Sequence, residues 1–247
     1  MRPSLAGLRV LLTRPEGEGM DEWTAAFAAA GAVPIRYPVI VTVAPASWIE
    51  LDAALARLGE YDWLVFTSQT AVAFVLARLL GRRFPANLSA KLAAVGTSTA
   101  RVIEHAGAQV SLIPSDQRQE GLVSAFADLP SGTRVFLPIA AGGRALLADA
   151  LRAQGCRVDV ATVYETQPRA GLPEPPEFDV AAFASPSALR AFLDGPGTSR
   201  LAKKCVVVIG STTAREAAAH GLSPVVAESP SVDGLIRAIA DSRKGDC

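Results

Sequence analysis

Hydroxyl-bearing residues and glycines stand where several apolar stretches of this chain end, and they are the first candidates for chemistry. Gly96 and Gly210 each follow an apolar stretch, precede an Ala-rich one and are followed directly by three hydroxyl residues. Glycine lets a backbone turn tightly, hydroxyls cap helices, and the free N–H groups at a helix start attract anions. Helix capping is the preferred interpretation of one such segment, but two matching copies favour anion binding. The residues are Gly96, Thr97, Ser98 and Thr99 in one copy and Gly210, Ser211, Thr212 and Thr213 in the other.

A second pair of hydroxyl segments has the same placement. Thr67 and Ser68 follow one apolar stretch, and Ser185 and Ser187 follow another. Hydroxyls at the junction of a strand and a helix can hold a carboxylate without burying another charge. Each segment alone predicts an ordinary helix cap. Together they enrich one rim of a sheet in hydroxyls, and we expect them to bind an anionic substrate.

Three longer side chains could act on such a ligand. Arg14 ends the first apolar run and is able to fork onto a carboxylate, although a solvated arginine is an equal alternative. Arg144 follows two glycines, which predict either a backbone anion site or a flexible turn at a helix start. Tyr164 ends the apolar stretch 158–163 and could donate a hydrogen bond into a cleft. The simpler alternative is a tyrosine at the rim of the core with its hydroxyl in water.

Several kinds of chemistry lack their usual signatures. The two histidines, His105 and His220, show no metal-ligand spacing, so we expect no metal site. The chain has no GxSxG nucleophile elbow, no complete P-loop and no GxGxxG motif. Lys plus Arg equals Asp plus Glu at 24 each, and zero net charge argues against a general nucleic-acid binder.

Composition predicts a globular, cytoplasmic protein. Hydrophobic residues make up 50% of the 247 residues and charged residues 19%, which provides ample material for a core. No apolar run approaches the ~20 residues that span a bilayer, and the start of the chain has no secretion signal, so no membrane association is expected. Cys156, Cys205 and Cys247 show no CxxC spacing and indicate a reduced, cytosolic protein.

The elements that must position these residues follow a regular alternation. Apolar runs of strand length alternate with Ala- and Leu-rich stretches of helix length, which predicts an α/β fold with parallel sheets. The apolar runs are continuous, as in strands that helices cover on both faces. Gly31 and Gly107 are expected to end two helices. The predicted strands include 9–13, 61–66 and 91–95, and the predicted helices include 20–30, 68–80 and 97–106.

Four segments recur in the same order, which indicates an internal duplication. The matched segments begin at Arg9 and Arg134, Tyr61 and Phe178, Val95 and Ile209, and Glu120 and Asp233. We therefore predict two related lobes, each a small doubly wound sheet whose ligands bind outside the carboxyl ends of its strands. Two lobes that face each other would place both sets of loops around one cleft. The stretches 35–45 and 168–176 are candidate connectors.

Taken in order, these motifs resemble those of the uroporphyrinogen-III synthases over about residues 8 to 240. Each motif is short, and their joint order carries the resemblance. The motifs are Thr13-Arg14-Pro15, Phe66-Thr67-Ser68, Ala94-Val95-Gly96 with Thr99-Ala100, Glu120-Gly121-Leu122, Val163-Tyr164-Glu165-Thr166, Ala184-Ser185-Pro186-Ser187-Ala188 and Ile209-Gly210 with Thr212-Thr213-Ala214.

The resemblance implies a cyclising hydro-lyase of tetrapyrrole (haem-type) biosynthesis. Hydroxymethylbilane would lose water, its last pyrrole ring would be inverted through a spiro intermediate, and the macrocycle would close to uroporphyrinogen III. The family implies no cofactor and no metal, a monomer, and a linear tetrapyrrole as the small-molecule partner. It leaves room for a transient contact with the upstream enzyme that forms the bilane. Tyr164 matches the family tyrosine that assists loss of the hydroxyl.

The family fold implies two α/β lobes joined by a two-stranded connector. By this resemblance, lobe one covers 1–37 and 168–247, lobe two covers 42–163, and the connector strands are 38–41 and 164–167. The sequence departs from the family pattern at Gln69-Thr70, at Ser211 and at Ile139-Ala140, which leaves room for altered activity. The alternative is a non-catalytic, two-lobed protein that binds a polycarboxylate or tetrapyrrole and closes at a hinge. A nucleotide enzyme is a third interpretation, without a phosphate-binding motif to support it.

Overall fold

A computed structural model describes residues 4–195, 198–201 and 204–243, in which strands and helices alternate. The strands are β1 Arg9–Leu12, β2 Val33–Arg36, β3 Ile40–Val43, β4 Trp63–Phe66, β5 Lys91–Ala94, β6 Val110–Leu112, β7 Arg134–Ala140, β8 Arg157–Pro168, β9 Val180–Phe183, β10 Cys205–Val208 and β11 Val225–Val226. The helices are α1 Glu18–Ala29, α2 Ile49–Leu55, α3 Gln69–Arg78, α4 Thr97–His105, α5 Gln119–Ala125, α6 Leu146–Ala153, α7 Pro186–Leu193, α8 Thr198–Leu201, α9 Ser211–Ala219 and α10 Val232–Ser242.

The chain folds into two compact units. Unit 1 comprises Met1–Thr42 and Thr166–Cys247, and unit 2 comprises Val43–Glu165. The chain leaves unit 1 at the end of β3 and returns within β8, and these two strands are hydrogen-bonded neighbours. The crossings lie at or beside the predicted connector strands, and the proline-rich stretch 168–176 runs within unit 1 toward β9.

The two sheets share one strand order. In unit 1 the order is β11-β10-β9-β1-β2, and in unit 2 it is β6-β5-β4-β7-β8, with β3 added beyond β8. The registered pairs are parallel, which confirms the predicted α/β fold with parallel sheets. Strand β7 corresponds to β1 and strand β4 to β9, as the sequence repeats predict. The shared order is consistent with duplication, and it is the flavodoxin-like arrangement of a doubly wound sheet.

Each sheet is covered by helices on both faces, and its core is correspondingly split in two. In unit 1, α1 and α10 pack on one face through residues such as Phe27 and Ile239, and α7 and α9 pack on the other. In unit 2, helices α2, α3 and α4 cover one face, and α5 and α6 cover the other through Leu122 and Leu151. Burial on both faces explains why the strands are continuous apolar runs.

Local signals place most element ends within a few residues of the prediction. Gly31 and Gly107 adopt φ of +86° and +83° just after α1 and α4, in the left-handed region that glycine allows. The predicted helix 68–80 starts one residue later, because Ser68 is its N-cap and accepts a hydrogen bond from the Ala71 N–H at 3.0 Å. The helix ends early because Leu79 is extended.

The repeated Gly-Leu motif has a packing role in both units. A Cβ on Gly121 would lie 1.9 Å from the Asp116 carbonyl oxygen, and one on Gly234 would lie 2.2 Å from that of Ser229. Both glycines lie in the first turn of a helix, α5 or α10, against the loop that enters it. The motif therefore allows that loop to fold closely onto the helix.

Candidate functional site

The topological switch point of each sheet gathers several predicted site residues. In unit 1 the point lies between β1 and β9, and in unit 2 it lies between β7 and β4. Ligands of doubly wound sheets bind at the carboxyl ends of the strands at this point. Arg14 and Ser185 follow the two strands in unit 1, and Ser68 and Arg144 follow the two strands in unit 2.

Tyr164 and Ser68, both predicted from sequence, meet in unit 2. The Oη of Tyr164 lies 3.2 Å from the Oγ of Ser68. That Oγ also accepts the N–H of Ala71 at the start of α3. The Tyr164 ring is half-buried and stacks on Phe74, with centroids 5.8 Å apart. Its hydroxyl is therefore held in place both by packing and by a capping serine.

A β-bulge aims the Tyr164 side chain. The register of β7 on β8 shifts by one residue just before Tyr164. Val160 packs with the core on the α5 and α6 face, whereas Ala161 and Val163 pack on the α3 and α4 face. An unbroken strand would turn Tyr164 toward the Val160 side, because side chains alternate. The bulge instead lets Tyr164 pack on the same face as Val163, where Ser68 lies.

A mainly apolar cavity of about 150 Å³ lies at the carboxyl end of β7. Its lining includes Leu137 and four polar residues, which are Thr67, Gln119, Arg144 and Arg152. The Oε1 atom of Gln119 is buried without a hydrogen-bond partner. Arg144 Nη1 lies 2.7 Å from Glu120 Oε1, and this hydrogen bond holds the pKa of Glu120 below its usual value. A ligand carboxylate would have to compete with Glu120 for Arg144.

The glycine segment before Arg144 is a turn rather than a helix start. Gly142 has φ of +67°, and the Gly143 N–H donates to the Ala140 carbonyl at 3.0 Å. The predicted helix is α6, but it begins at Leu146, two residues after Arg144, so the glycines precede the helix and do not open it. Of the two interpretations left open, the turn fits this hydrogen bond, since it occupies the Gly143 N–H.

The start of α4 differs from the prediction in its cap. Gly96 is the N-cap and has extended backbone, so hydroxyl capping and a glycine-dependent turn are both wrong here. The Gln117 Oε1 accepts from the Thr97 N–H at 3.0 Å and lies 3.3 Å from its Oγ1. A Cβ on Gly96 would lie 2.6 Å from that oxygen, so the glycine makes room for Gln117. Thr97 and Ser98 are exposed, whereas Thr99 is only 2% exposed.

The start of α9 has the same extended glycine N-cap as α4, but an added Cβ there would not meet a neighbouring side chain. Gly210 is again an extended N-cap, and a Cβ added to it would meet nothing within 4 Å. Hydroxyl capping is wrong here too, because no side chain in the described part of the chain forms a capping hydrogen bond at the start of α9. Ser211 and Thr212 are exposed, and Thr213 is 2% exposed. Within the described residues, the first turn of α9 is the more open of the two to a ligand.

The switch point of unit 1 carries an arginine and a capping serine. Ser185 Oγ accepts the N–H of Ala188 at 3.2 Å at the start of α7, and Ser187 is half-buried in the same turn. The Arg14 guanidinium lies over Trp23, with Cζ 4.7 Å from the ring centroid. Burial lowers the pKa of Arg14 below its usual value. The solvated arginine, the alternative interpretation from sequence, does not describe this half-buried side chain.

Sequence reasoning missed three residues beside these loops: Gln117, Gln119 and Trp23. Gln117 and Gln119 stand in a short polar stretch before α5, and nothing in its spacing marks them as partners of Thr97 and the cavity. Trp23 lies in an apolar helix face and is 2% exposed, so it has the pattern of a core residue. Only the tertiary contacts reveal their positions.

The described residues contain no group of three His, Cys, Asp or Glu side chains able to hold a metal ion. None of the described helices combines the length and apolar character needed to cross a membrane. Cys156 is buried, which raises the pKa of its thiol, and Cys247 lies outside the described residues.

Comparisons with known proteins agree with one another. The family model for uroporphyrinogen-III synthase HemD matches residues 21–237. The uroporphyrinogen-III synthase of Synechococcus elongatus is 30% identical over 254 residues, covering 95% of each chain. A putative uroporphyrinogen-III synthase of Methanothermobacter thermautotrophicus is 32% identical over 77% of this chain and 81% of its own.

Two solved structures show the same fold. A uroporphyrinogen-III synthetase from Helicobacter pylori superposes with a TM-score of 0.66 at 16% identity, covering 95% of this chain and 99% of its own. A mutant uroporphyrinogen III synthase from Thermus thermophilus superposes with a TM-score of 0.62 at 20% identity, covering 97% of this chain and 100% of its own. Because the family model matches most of its length, the chain belongs to the uroporphyrinogen-III synthase family.

Proposed function

We propose that this chain is a cyclising hydro-lyase that converts hydroxymethylbilane to uroporphyrinogen III in tetrapyrrole biosynthesis. Membership of the uroporphyrinogen-III synthase family carries the proposal, because the match covers most of the chain. The reaction removes water from the bilane, inverts its last pyrrole ring and closes the macrocycle. An electron-rich pyrrole drives the loss of the hydroxyl, so the protein mainly has to hold one conformation and stabilise developing charge.

Tyr164 is the proposed catalytic residue. Its O–H donates a proton to the leaving hydroxyl, directly or through one water, so that the hydroxyl departs as water. Either hydroxyl can donate across the 3.2 Å between Ser68 Oγ and Tyr164 Oη. In the proposed mechanism Ser68 is the donor, which leaves the tyrosine proton directed at the substrate. Stacking on Phe74 and the capping bond to Ala71 support this arrangement, because they fix both partners.

The carboxylates of the tetrapyrrole are bound by hydroxyls, helix N–H groups and arginines of the strand-to-helix loops. Exposed hydroxyls in the first turns of α4 and α9 make the direct contacts, and the buried Thr99 and Thr213 support those turns from beneath. The proposed binding loops, including the two supporting threonines, are made of Arg14, Thr67, Ser68, Gly96, Thr97, Ser98, Thr99, Arg144, Ser185, Ser187, Gly210, Ser211, Thr212 and Thr213.

The same proposal covers the molecules that this protein contacts and the compartment in which it works. The small-molecule partner is a linear tetrapyrrole, and neither nucleic acid nor a membrane takes part. The enzyme acts as a monomer in the cytoplasm and makes only a transient contact with the upstream enzyme that forms the bilane.

The test is product analysis with hydroxymethylbilane. We expect the type III isomer of uroporphyrinogen to dominate, whereas heat-denatured protein yields the type I isomer of spontaneous closure. Type I product alone would overturn the proposed activity. If the bilane then still binds tightly, the chain is the non-catalytic tetrapyrrole-binding protein of the alternative interpretation.

A further inference from the structure

Arg14 differs from the other arginines that lack a partner. Among the residues that the structure describes, no side chain forms an ion pair or a hydrogen bond with Arg14, which is half-buried. The remaining unpaired arginines in these ranges are exposed to solvent. A half-buried, uncompensated charge is costly, and proteins usually pair it. Its position at the carboxyl end of β1, at a switch point, suggests that a ligand supplies the missing partner.

Two residues of α1, Trp23 and Gly19, lie against the guanidinium of Arg14. The buried ring of Trp23 lies below it, at 4.7 Å from Cζ to the ring centroid. A Cβ built on Gly19, one turn before Trp23 in α1, would lie 2.5 Å from Nη2 and 3.0 Å from Cζ. Gly19 is the second residue of α1, where alanine would be the better helix former. The absence of a side chain at Gly19 therefore makes space for Arg14 at the expense of helix propensity.

Arg36 pairs with two of the acidic residues that lie close to Arg14 in sequence. Glu16 and Asp21 flank the start of α1, close to Arg14 in sequence, and both form ion pairs with Arg36 at the end of β2. The charge of Glu22 acts against the effect of burial on the pKa of Arg14, but no ion pair between the two residues occurs in the described part of the chain. Because Arg36 occupies these two carboxylates, the guanidinium of Arg14 remains available to a carboxylate from outside the chain.

We propose that Gly19, Trp23 and Arg36 are positioning residues that hold Arg14 unpaired and in place to bind one carboxylate of the tetrapyrrole. The identity of this ligand rests on the proposed function. The stacked, planar guanidinium presents its fork to the carboxylate in a bidentate pair, a geometry that lysine does not reproduce.

The decisive variant is Gly19→Ala, because the proposal and a purely structural role predict different results. The added methyl group displaces the flexible end of Arg14, so the KM for hydroxymethylbilane should rise about tenfold with kcat nearly unchanged. The melting temperature should not fall, because alanine favours the helix. Gly59→Ala, where a Cβ meets nothing within 4 Å, is the matched control and should leave KM unchanged. An unchanged KM in Gly19→Ala would overturn the proposal.

Two further experiments separate the roles. Arg14→Gln should raise KM to a similar extent, and adding Gly19→Ala to it should have little further effect, since both changes act on one contact. Arg36→Gln should raise KM by releasing Glu16 and Asp21, and adding Glu16→Gln and Asp21→Asn should restore it. Additive effects of the first pair, or no restoration in the second set, would contradict the assigned roles.

A binding measurement that requires no catalysis tests the Arg14 site separately from the proposed enzymatic activity. Uroporphyrin III carries the same carboxylate arms as the proposed product and is titrated by calorimetry into the native protein and into Gly19→Ala. If the native protein makes only type I product, the proposed function fails. Weaker uroporphyrin binding by the variant than by the native protein then still supports the arginine site. Equal binding by the two proteins rejects it.

Discussion

At the scale of single residues, the proposed loss of water from the bilane depends most on Tyr164, through its hydroxyl. Tyr164→Phe should lower kcat about 100-fold, the lower range for loss of a general acid. The ring would still stack on Phe74, so the free energy of unfolding should fall by only about 1 kcal/mol for the lost Ser68 contact. Steady-state rates and urea unfolding measure the two effects.

Tyr61 offers a matched control for this change. Its ring stacks on Phe136 and its hydroxyl donates to Asp159 at 2.6 Å, but it precedes β4 and lies near the opposite, amino end of the sheet. Tyr61→Phe should therefore cost some stability without reducing kcat. A Tyr164→Phe protein that keeps its rate would remove this tyrosine from the mechanism.

Gly210 tests whether the substrate approaches the first turn of α9. Neither its extended backbone nor a neighbouring atom requires glycine, since a Cβ would enter open space. Gly210→Ala should therefore fold with unchanged stability, and any effect has to come from the ligand. We expect KM to rise about tenfold, because the methyl group occupies space next to the bound carboxylate. An unchanged KM would place the substrate elsewhere.

At the scale of elements, the Gly-Leu motif of α5 and α10 should prove structural. The carbonyl oxygens that oppose Gly121 and Gly234 are themselves held, because they accept the N–H groups of Arg118 at 2.7 Å and Ser231 at 2.8 Å. Gly121→Ala or Gly234→Ala should lower the free energy of unfolding by about 2 kcal/mol through overpacking. Urea midpoints test this, with Gly59→Ala as the neutral reference. A midpoint unchanged in both variants would show that these loops can move.

The ion pair between β1 and the start of β9 should make stability depend on pH. Arg9 donates to Asp179 from its side chain and from its backbone N–H, and these hydrogen bonds hold the pKa of Asp179 below its usual value. A carboxyl whose pKa is lower in the folded than in the unfolded state stabilises the fold above its unfolded pKa, near 4. That contribution is lost as the pH falls through the folded pKa.

The substitution Asp179→Asn measures this contribution. The native protein should exceed the variant in free energy of unfolding near neutral pH, and the difference should shrink as the pH falls below about 4. The difference is modest because both side chains are partly exposed. A difference that stays constant with pH would mean that the ionised carboxylate does not stabilise the fold.

At the scale of the whole molecule, unit 2 has what an independent fold requires. It is continuous in sequence and buries apolar residues on both faces of its sheet. A fragment from Ile40 to Pro168 retains all of β3 and β8 and should unfold cooperatively in urea. The same fragment with Phe136→Ala, a buried strand residue, should have a lower midpoint. A fragment without a cooperative transition would contradict this expectation.

The sequence alone determined the fold class and most of the elements, because these follow from local patterns. Continuous apolar runs required strands buried on both faces. Gly31 and Gly107 mark helix ends because glycine readily adopts the left-handed conformation that ends a helix. The repeated segments correctly predicted that β7 corresponds to β1 and β4 to β9. Ser68 and Ser185 were placed at helix starts by the same local reasoning.

Only the tertiary structure decided how the candidate site is arranged, because its contacts join residues far apart in sequence. Strict alternation of side chains along β8 would have turned Tyr164 away from Ser68. The bulge, which arises where β8 pairs with β7, instead turns this side chain toward Ser68. Gln117 occupies the start of α4, where hydroxyl capping was expected. Among the described residues, Glu16 and Asp21 form their ion pairs with Arg36 and none with Arg14. Register, close approach and competition for partners depend on the packed structure, and no local pattern encodes them.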